Sequence, residues 1–448
     1  MSWLINHIKS LAEKPAIVDA KGSFNYADLS NQIEKYRAEL DAQFTDGQVV
    51  AILSDYNFYT VALFFALYQK QAIIVPIVSS NAKEVEKRLQ IVECNWVIKL
   101  QNNVLNVNQY SEETTHHAMI QTLCNAKQAG LVLFSSGSTG EPKAMVHNLE
   151  NLVNSYQGKK LKKLNMLVFL MFDHIGGLNT LLNTLSMAAK IVFPENRNPE
   201  HIAQLIETHQ IHILPASPTF LNMMLMAKVQ EKFDLSSLRM ITYGTEPMPE
   251  SLLKKLKEIF PRTKLLQTFG TSETGIAQTS SRSSGSLEMK LDDPNLQYKI
   301  VNGELWLKSK TQVMGYLNAS MDSFTDDGWF KTGDLVEELE GGYIRIKGRA
   351  KEVINVGGEK VLPAEVESVV LELDEIEDCM VYGAKNAITG QMAAVQVVLK
   401  EGVEEKSAKN LIRKHCKERL DTYKIPVKFE FVNQTNIGDR FKKKRLSH

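Results

Sequence analysis

The feature that most limits the fold is an alternation of short apolar runs with helical patterns. "VVAIL" (49–53) reads as a strand, "FYTVALFFALYQ" as a helix and "AIIVPIV" (72–78) as the next strand. A helix between two strands returns the chain to the same edge, so that the second strand lies parallel to the first. The pattern recurs downstream, where "KIVFPE", "IHILPAS", "RMITYGTE" and "KLLQTFG" are separated by segments such as "PESLLKKLKEIF". Alternation of this kind implies parallel sheets flanked by helices.

The texture changes at about Leu296. "LQYKIVNGELWLKS" and "GGYIRIKG" read as antiparallel strands joined by Asn-Gly and Gly-Gly turns. A last segment of about a hundred residues follows Gly348 and Arg349. In it Pro363 stands at a first helical position, and Val366, Val369, Val370 and Leu373 form an apolar stripe. Strands "CMVYGA" and "AAVQVVLK" and a helix "AKNLIRKHCKERL" come next. The expected fold class is α/β: a large N-terminal domain (1–348) of parallel sheets with a β-rich subdomain, then a small α+β domain (349–448).

A chain of 448 residues can bury two or three domain cores. Lys+Arg and Asp+Glu both number 52, so the zero net charge argues against nucleic acid or another polyanion as partner. Four scattered cysteines (Cys94, Cys124, Cys379, Cys416) form no metal-ligand spacing and suggest reduced thiols. The first residues contain no signal-peptide core, and no run approaches the roughly 20 apolar residues of a membrane helix. A cytoplasmic location without a membrane span is the expectation, and "FYTVALFFALY" is read as a buried helix.

Chemistry first shows in "LVLFSSGSTGEPKAMVH" (131–147). Ser135, Ser136, Gly137, Ser138, Thr139 and Gly140 place hydroxyls and backbone N–H groups just after a strand, and Lys143 adds a cation. Glycines allow the backbone to form an anion-binding nest. Alone, the loop is equally a polar turn. It is not a GxxxxGK[ST] loop, because the spacing differs and no Ser or Thr follows the lysine.

"SSGSTGEPKA" resembles the phosphate-loop signature of the adenylate-forming superfamily of acyl- and aryl-CoA synthetases, nonribosomal-peptide adenylation domains and luciferases. "YGTEPMP" (243–249), "QTFGTSETG" (267–275), "GWFKTGDL" (328–335) and "GRAKEVINVGGEKVLPAEVE" (348–367) resemble its later motifs, in order, and the likeness runs from "FNYADL" (24–29) to the C-terminus. It implies an ATP-dependent ligase that converts a carboxylic acid to acyl-AMP with loss of pyrophosphate, then passes the acyl group to a thiol. ATP, Mg²⁺ and coenzyme A, or the phosphopantetheine of an acyl carrier protein acting in trans, are the implied co-substrates.

By the same resemblance Ser135, Ser138, Thr139 and Lys143 would cradle the β- and γ-phosphates, together with the rest of the loop 135–140. Glu273 would hold Mg²⁺, for which a hard oxygen ligand is suited. Ser272 would reach the α-phosphate. Phe269 would stack on adenine, beside Gly270 and Thr271, with Gly244, Thr245 and Glu246 on the other face of the base. Asp334 would accept the ribose hydroxyls and Arg349 would make a second ribose or phosphate contact, with Lys351 at the hinge of the small C-terminal domain (349–448), which the resemblance implies to be mobile. Gly357 and Gly358 would line a thiol tunnel, and this Gly-Gly form favours thioester formation over adenylation alone.

A catalytic lysine near the C-terminus is implied at Lys442, followed by Arg445, with Lys443 as the alternative register. Phe441 stands there where the family has Gly, Asn436 where it has Pro and Gly438 where it has Thr. "FLMFDHIGGLNTLL" (169–182) puts His174 beside the substrate carboxylate. The acyl pocket is expected to include Met171, Asp173, Ile175, Gly176, Gly177, Ser217 and Thr219, and its apolar walls favour a fatty or aryl acid. The competing readings are a non-catalytic nucleotide- or acyl-binding relative, a protein that stops at adenylation, and a luciferase-like oxygenase, for which nothing in the residues speaks.

Overall fold

Strands buried on both faces need cover on both sides, and helices supply it: Phe58–Gln69 on one face of the first large sheet, Ala82–Ile91 and Ala118–Asn125 on the other. Val49–Ile52 and Ile73–Pro76 are buried at every position and pair in parallel. In the computed structural model, which describes residues 2–112, 115–136, 141–438 and 441–445, they are central in a seven-stranded sheet. Its order is Gly315–Tyr316, Pro142–Asn148, Gly130–Ser136, Ile73–Pro76, Val49–Ile52, Trp96–Gln101, Val104–Gln109.

The second seven-stranded sheet runs Lys264–Gln267, Met240–Tyr243, Ile213–Ala216, Asn165–Leu167, Lys190–Val192, Pro15–Asp19, Gly22–Asn25. It is parallel up to its last, antiparallel strand. Residues of both sheets share one core with helix Phe58–Gln69, in which ten of twelve residues are buried. That helix is the core helix its apolarity suggests. Among the described residues no helix is long and apolar enough to cross a membrane.

An antiparallel six-stranded sheet follows, from Thr279–Ser281 to Leu296–Val301 at its two edges. Its Leu296–Val301/Glu304–Ser309 hairpin turns at Asn302 and Gly303, whose φ values of 51° and 79° suit the type I′ turn expected of Asn-Gly. Tyr343–Arg349 is the last strand of this sheet in chain order, the short 3₁₀ turn Ala350–Glu352 follows, and Ile354–Val356 opens a five-stranded sheet with helices Pro363–Val370 and Glu405–Arg419. Val366 and Val370 enter this last core; Leu373 enters it too, although the helix has ended before it.

Candidate active site

Loops at the carboxyl ends of parallel strands surround a cavity of about 720 Å³. Strand Ile213–Ala216 leads to Pro215 and Ala216 on its wall, Met240–Tyr243 to Gly244 and Thr245, and Lys264–Gln267 to Thr268. Gly244 is held so close to Thr268 that a β-carbon would lie 2.6 Å from its carbonyl oxygen. Thr245 takes φ +74°, a strained backbone for a threonine.

Of the residues expected from the sequence, Ser135, Lys143, His174, Ile175, Gly176, Gly244, Thr245, Gly270, Thr271, Ser272, Glu273, Arg349, Lys351 and Lys442 all line this one cavity. Ser136 closes the strand Gly130–Ser136, whereas Gly137, Ser138, Thr139 and Gly140 lie outside the described residues.

His174 caps helix Ile175–Ser186, its Nδ1 accepting the Gly176 N–H at 2.9 Å. In the neutral ring the proton is therefore on Nε2. Glu273 Oε1 accepts the Tyr316 hydroxyl at 3.0 Å, and the Lys143 ammonium stands 5.3 Å from the Tyr316 ring centre.

Asp334 is 5 % exposed, below the wall formed by Thr332 and Gly333. Arg349 Nε lies 2.9 Å from its Oδ1, while its Oδ2 is buried with no partner among the described residues. Burial pushes this carboxyl up to about 6 against the opposing pull of Arg349 and the Thr332 hydrogen bond. A buried carboxylate oxygen without a donor is what a ribose hydroxyl would satisfy.

The two candidate C-terminal lysines lie in different surroundings. Lys442 faces the cavity. Lys443 turns the other way, 3.0 Å from Asp378 and donating to the Cys379 carbonyl at 2.5 Å. Its charge is stabilised by Asp378 and Glu367, which raise it although burial opposes them. Arg445 bonds Glu367 at 2.8 Å and Glu352 at 3.0 Å.

Several expected residues lie elsewhere. Phe269 points into the core of the antiparallel sheet with Met289, Leu305 and Leu307, so Gly270 alone of that pair meets the cavity. Asp173 forms a buried ion pair with Arg88 at 3.1 Å. Gly177 packs against the loop before it, where a β-carbon would lie 2.5 Å from the Met171 carbonyl oxygen, and neither residue reaches the wall. Ser217 and Glu246 instead receive the C-terminal segment, with Thr219 behind Glu246. The Ser217 hydroxyl donates to the Phe441 carbonyl at 2.6 Å, and Glu246 accepts the N–H groups of Thr219 (2.7 Å) and Lys443 (3.3 Å). Gly357 and Gly358 occupy the exposed hairpin turn between Ile354–Val356 and Glu359–Val361, off the cavity wall.

Two residues were not anticipated. Tyr316 bridges Lys143 and Glu273, and Asn318 clamps the strand carrying Lys143 by accepting the Ala144 N–H (2.9 Å) and donating to the Pro142 carbonyl (2.8 Å). Their segment "VMGYLN" is short and pairs only as an edge strand, so nothing local marks it.

A second cavity of about 410 Å³ adjoins the first and shares Ile175, Asn179, Thr180 and Ile276 with it. Its walls include Leu164, Met166, Met187, Ile213 and Leu266, and Tyr156 donates to Asn179 Oδ1 at 2.7 Å within it.

A two-sheet α/β body, a smaller C-terminal fold that supplies one lysine, and a cavity on which hydroxyls, lysines, an arginine and a carboxylate converge fit an adenylate-forming enzyme. The chain belongs to the AMP-binding enzymes: their family model matches residues 6–317, and the AMP-binding enzyme C-terminal domain matches 365–438. It is 31% identical over 334 residues to acyl-CoA synthetase 7 of Caenorhabditis elegans, an alignment covering 67% of this chain and 61% of that protein. To the 2-succinylbenzoate–CoA ligase of Bacillus licheniformis it is 25% identical, over 97% of this chain and 96% of the relative. A crystal structure of the anthranilate CoA ligase AuaEII with anthranoyl-AMP shares the fold at TM-score 0.83, with 19% identity over 98% of this chain and 95% of that one.

Proposed function

We propose that this ATP-dependent acid–CoA ligase, which makes an acyl-AMP and passes the acyl group to coenzyme A, acts on an aryl acid seated in the 410 Å³ cavity. The full-length similarity to 2-succinylbenzoate–CoA ligases supports that class over a simple fatty acid, and the cavity, lined by Leu164, Met166 and Met187 together with polar residues such as Lys162 and Asn183, offers both apolar and polar surface to it.

In the first step a carboxylate oxygen attacks the α-phosphorus and the bond to pyrophosphate breaks. Negative charge spreads over phosphate oxygens, so the residues act mainly by position and charge. Lys442 would face the carboxylate and the α-phosphate, and the Nε2–H of His174 would hold the second carboxylate oxygen. Lys143 would hold the departing phosphates and Asp334 the ribose. Glu273 fits Mg²⁺ as one carboxylate ligand whose remaining sites phosphate and water can fill. The bound ion supplies charge neutralisation between phosphates. In the second step the thiolate attacks the acyl carbonyl and AMP leaves with the bonding pair.

The turn Ala350–Glu352, with Lys351 at its centre, is the hinge in this reading, and 349–448 is the moving domain. A rotation there would replace Lys442 by the Gly357–Gly358 turn for the thiol step. Coenzyme A is the thiol; an acyl carrier protein is a second acceptor to be offered in the same assay.

The observation that carries this reading is the convergence of Lys442, Lys143, Glu273 and Arg349 on one cavity. The test is acid-dependent pyrophosphate exchange over an acid panel. Lys442→Ala should lower exchange at least about 100-fold, in line with loss of a charge-stabilising group. Lys443→Ala should chiefly lower the unfolding temperature. Exchange that survives Lys442→Ala rejects the assignment.

A further inference from the structure

We propose that Phe441 is a positioning residue that seats Lys442 for adenylation by locking its ring into the N-terminal part of the chain. The inference rests on the role assigned to Lys442 above.

Phe441 has φ +54°, a left-handed backbone in which a β-carbon is crowded and which glycine adopts freely. A phenylalanine persists there because both its ring and its carbonyl are held. The ring centre lies 5.1 Å from that of Phe169 and 5.4 Å from that of Phe220, with tilted and edge-on geometry, and those two rings are 4.3 Å apart. The carbonyl accepts the Ser217 hydroxyl, whose oxygen in turn caps helix Pro218–Met226 by accepting the Phe220 N–H at 3.1 Å. One docking site thus binds ring and backbone together.

On the other side of Lys442, the backbone N–H of Lys443 is bonded to Glu246, and the Lys443 ammonium is buried against Asp378 of the C-terminal fold. Residues 441–445 also fold back on 436–438: Gly438 N–H donates to the Lys442 carbonyl at 2.8 Å, and Lys444 N–H to the Asn436 carbonyl at 2.8 Å. Lys442 therefore leaves a backbone fixed before and after it, and it lines the cavity. Phe441 does not line the cavity, so any effect it has on the reaction passes through the placement of Lys442.

Two half-reactions separate this role from a merely structural one. Acid-dependent pyrophosphate exchange reports adenylation, and transfer from the synthetic adenylate of the best acid in the panel to coenzyme A reports the thiol step. In Phe441→Gly the left-handed backbone is unstrained but the ring is gone. Its exchange kcat should fall about 10- to 100-fold, with KM for ATP within about threefold and the ratio of exchange to transfer lowered at least about tenfold, because misplacement of a reacting group acts on the bound complex. Phe441→Leu, which keeps an apolar anchor, should recover part of that loss, and it carries the test if the glycine variant folds poorly. Equal loss in both half-reactions, or an exchange kcat within threefold of the parent in both variants, overturns the proposal. Lys442→Ala is assayed alongside: if it retains exchange, the reading of the site fails, whereas if it loses exchange and the Phe441 variants do not, only this inference fails.

Discussion

Asp334→Asn should make the ligand-free protein more stable and the enzyme worse. The Asp334 carboxyl is pushed by burial from 3.8 to about 6, and its Oδ2 has no donor among the described residues. A rise of that size corresponds to about 3 kcal/mol of disfavour for the ionised folded form. Because the folded value lies above the unfolded one, the cost is fully present above pH 6 and is relieved as the pH falls towards 3.8. Asparagine has the same shape and no charge, and the Arg349 side chain it leaves is 47% exposed, so water screens that loss. Urea unfolding at pH 7.5 should therefore show Asp334→Asn more stable by about 1–3 kcal/mol, with the gap closing near pH 4. In pyrophosphate exchange the same variant should raise KM for ATP about 10- to 100-fold, the value of a charge-assisted hydrogen bond to ribose. A variant less stable than the parent at pH 7.5, or an unchanged KM, would refute the reasoning on one arm or the other.

His147 makes an opposite pH prediction. It is 1% exposed, neither ring nitrogen has a partner among the described residues, and burial lowers it to about 4. Since the folded value lies below the unfolded 6.5, stability is complete above pH 6.5 and up to about 3 kcal/mol is lost as the pH falls to 4; His147→Leu should flatten that part of the urea-midpoint profile relative to the parent. Asn318→Ala removes two hydrogen bonds that hold the strand on both sides of Lys143, and KM for ATP should rise about tenfold at a net cost near 1 kcal/mol for each bond. An unchanged KM would mean that Lys143 is placed without the clamp.

The sheets were legible because their strands are local and apolar on both faces, and Asn302-Gly303 fixes its hairpin by turn chemistry alone. Motif residues that end strands, such as Ser135 and Gly244, were likewise legible, since the end of a parallel strand points them at the same crevice. Partners distant in sequence were not. Asp173 meets Arg88 across 85 positions, and no local pattern announces that ion pair. Phe269 was misplaced by one step of strand alternation, which sends it to the core and leaves Gly270 at the cavity. Ser217 and Glu246 belong to motif segments beside the cavity, yet their oxygens are taken by helix capping, by the Thr219 N–H and by residues 441–443.

The C-terminal departure from the family pattern has a different meaning once the backbone is seen. As sequence, Phe441 in place of glycine looks like decay of a catalytic motif. The structure keeps the left-handed backbone that glycine would serve, at a strain of about 1–2 kcal/mol for a residue with a β-carbon. Two ring contacts, each contributing about 0.5–1.5 kcal/mol beyond buried area, offset that strain. The two sums nearly cancel, so the substitution adds little stability. It changes where Lys442 is anchored: by conformational ease in a glycine, by a fixed aromatic contact with Phe169 and Phe220 here. If Lys442 acts as proposed, a lysine held that way would be set for the first half-reaction, and a rotation of the C-terminal fold would first have to withdraw that ring.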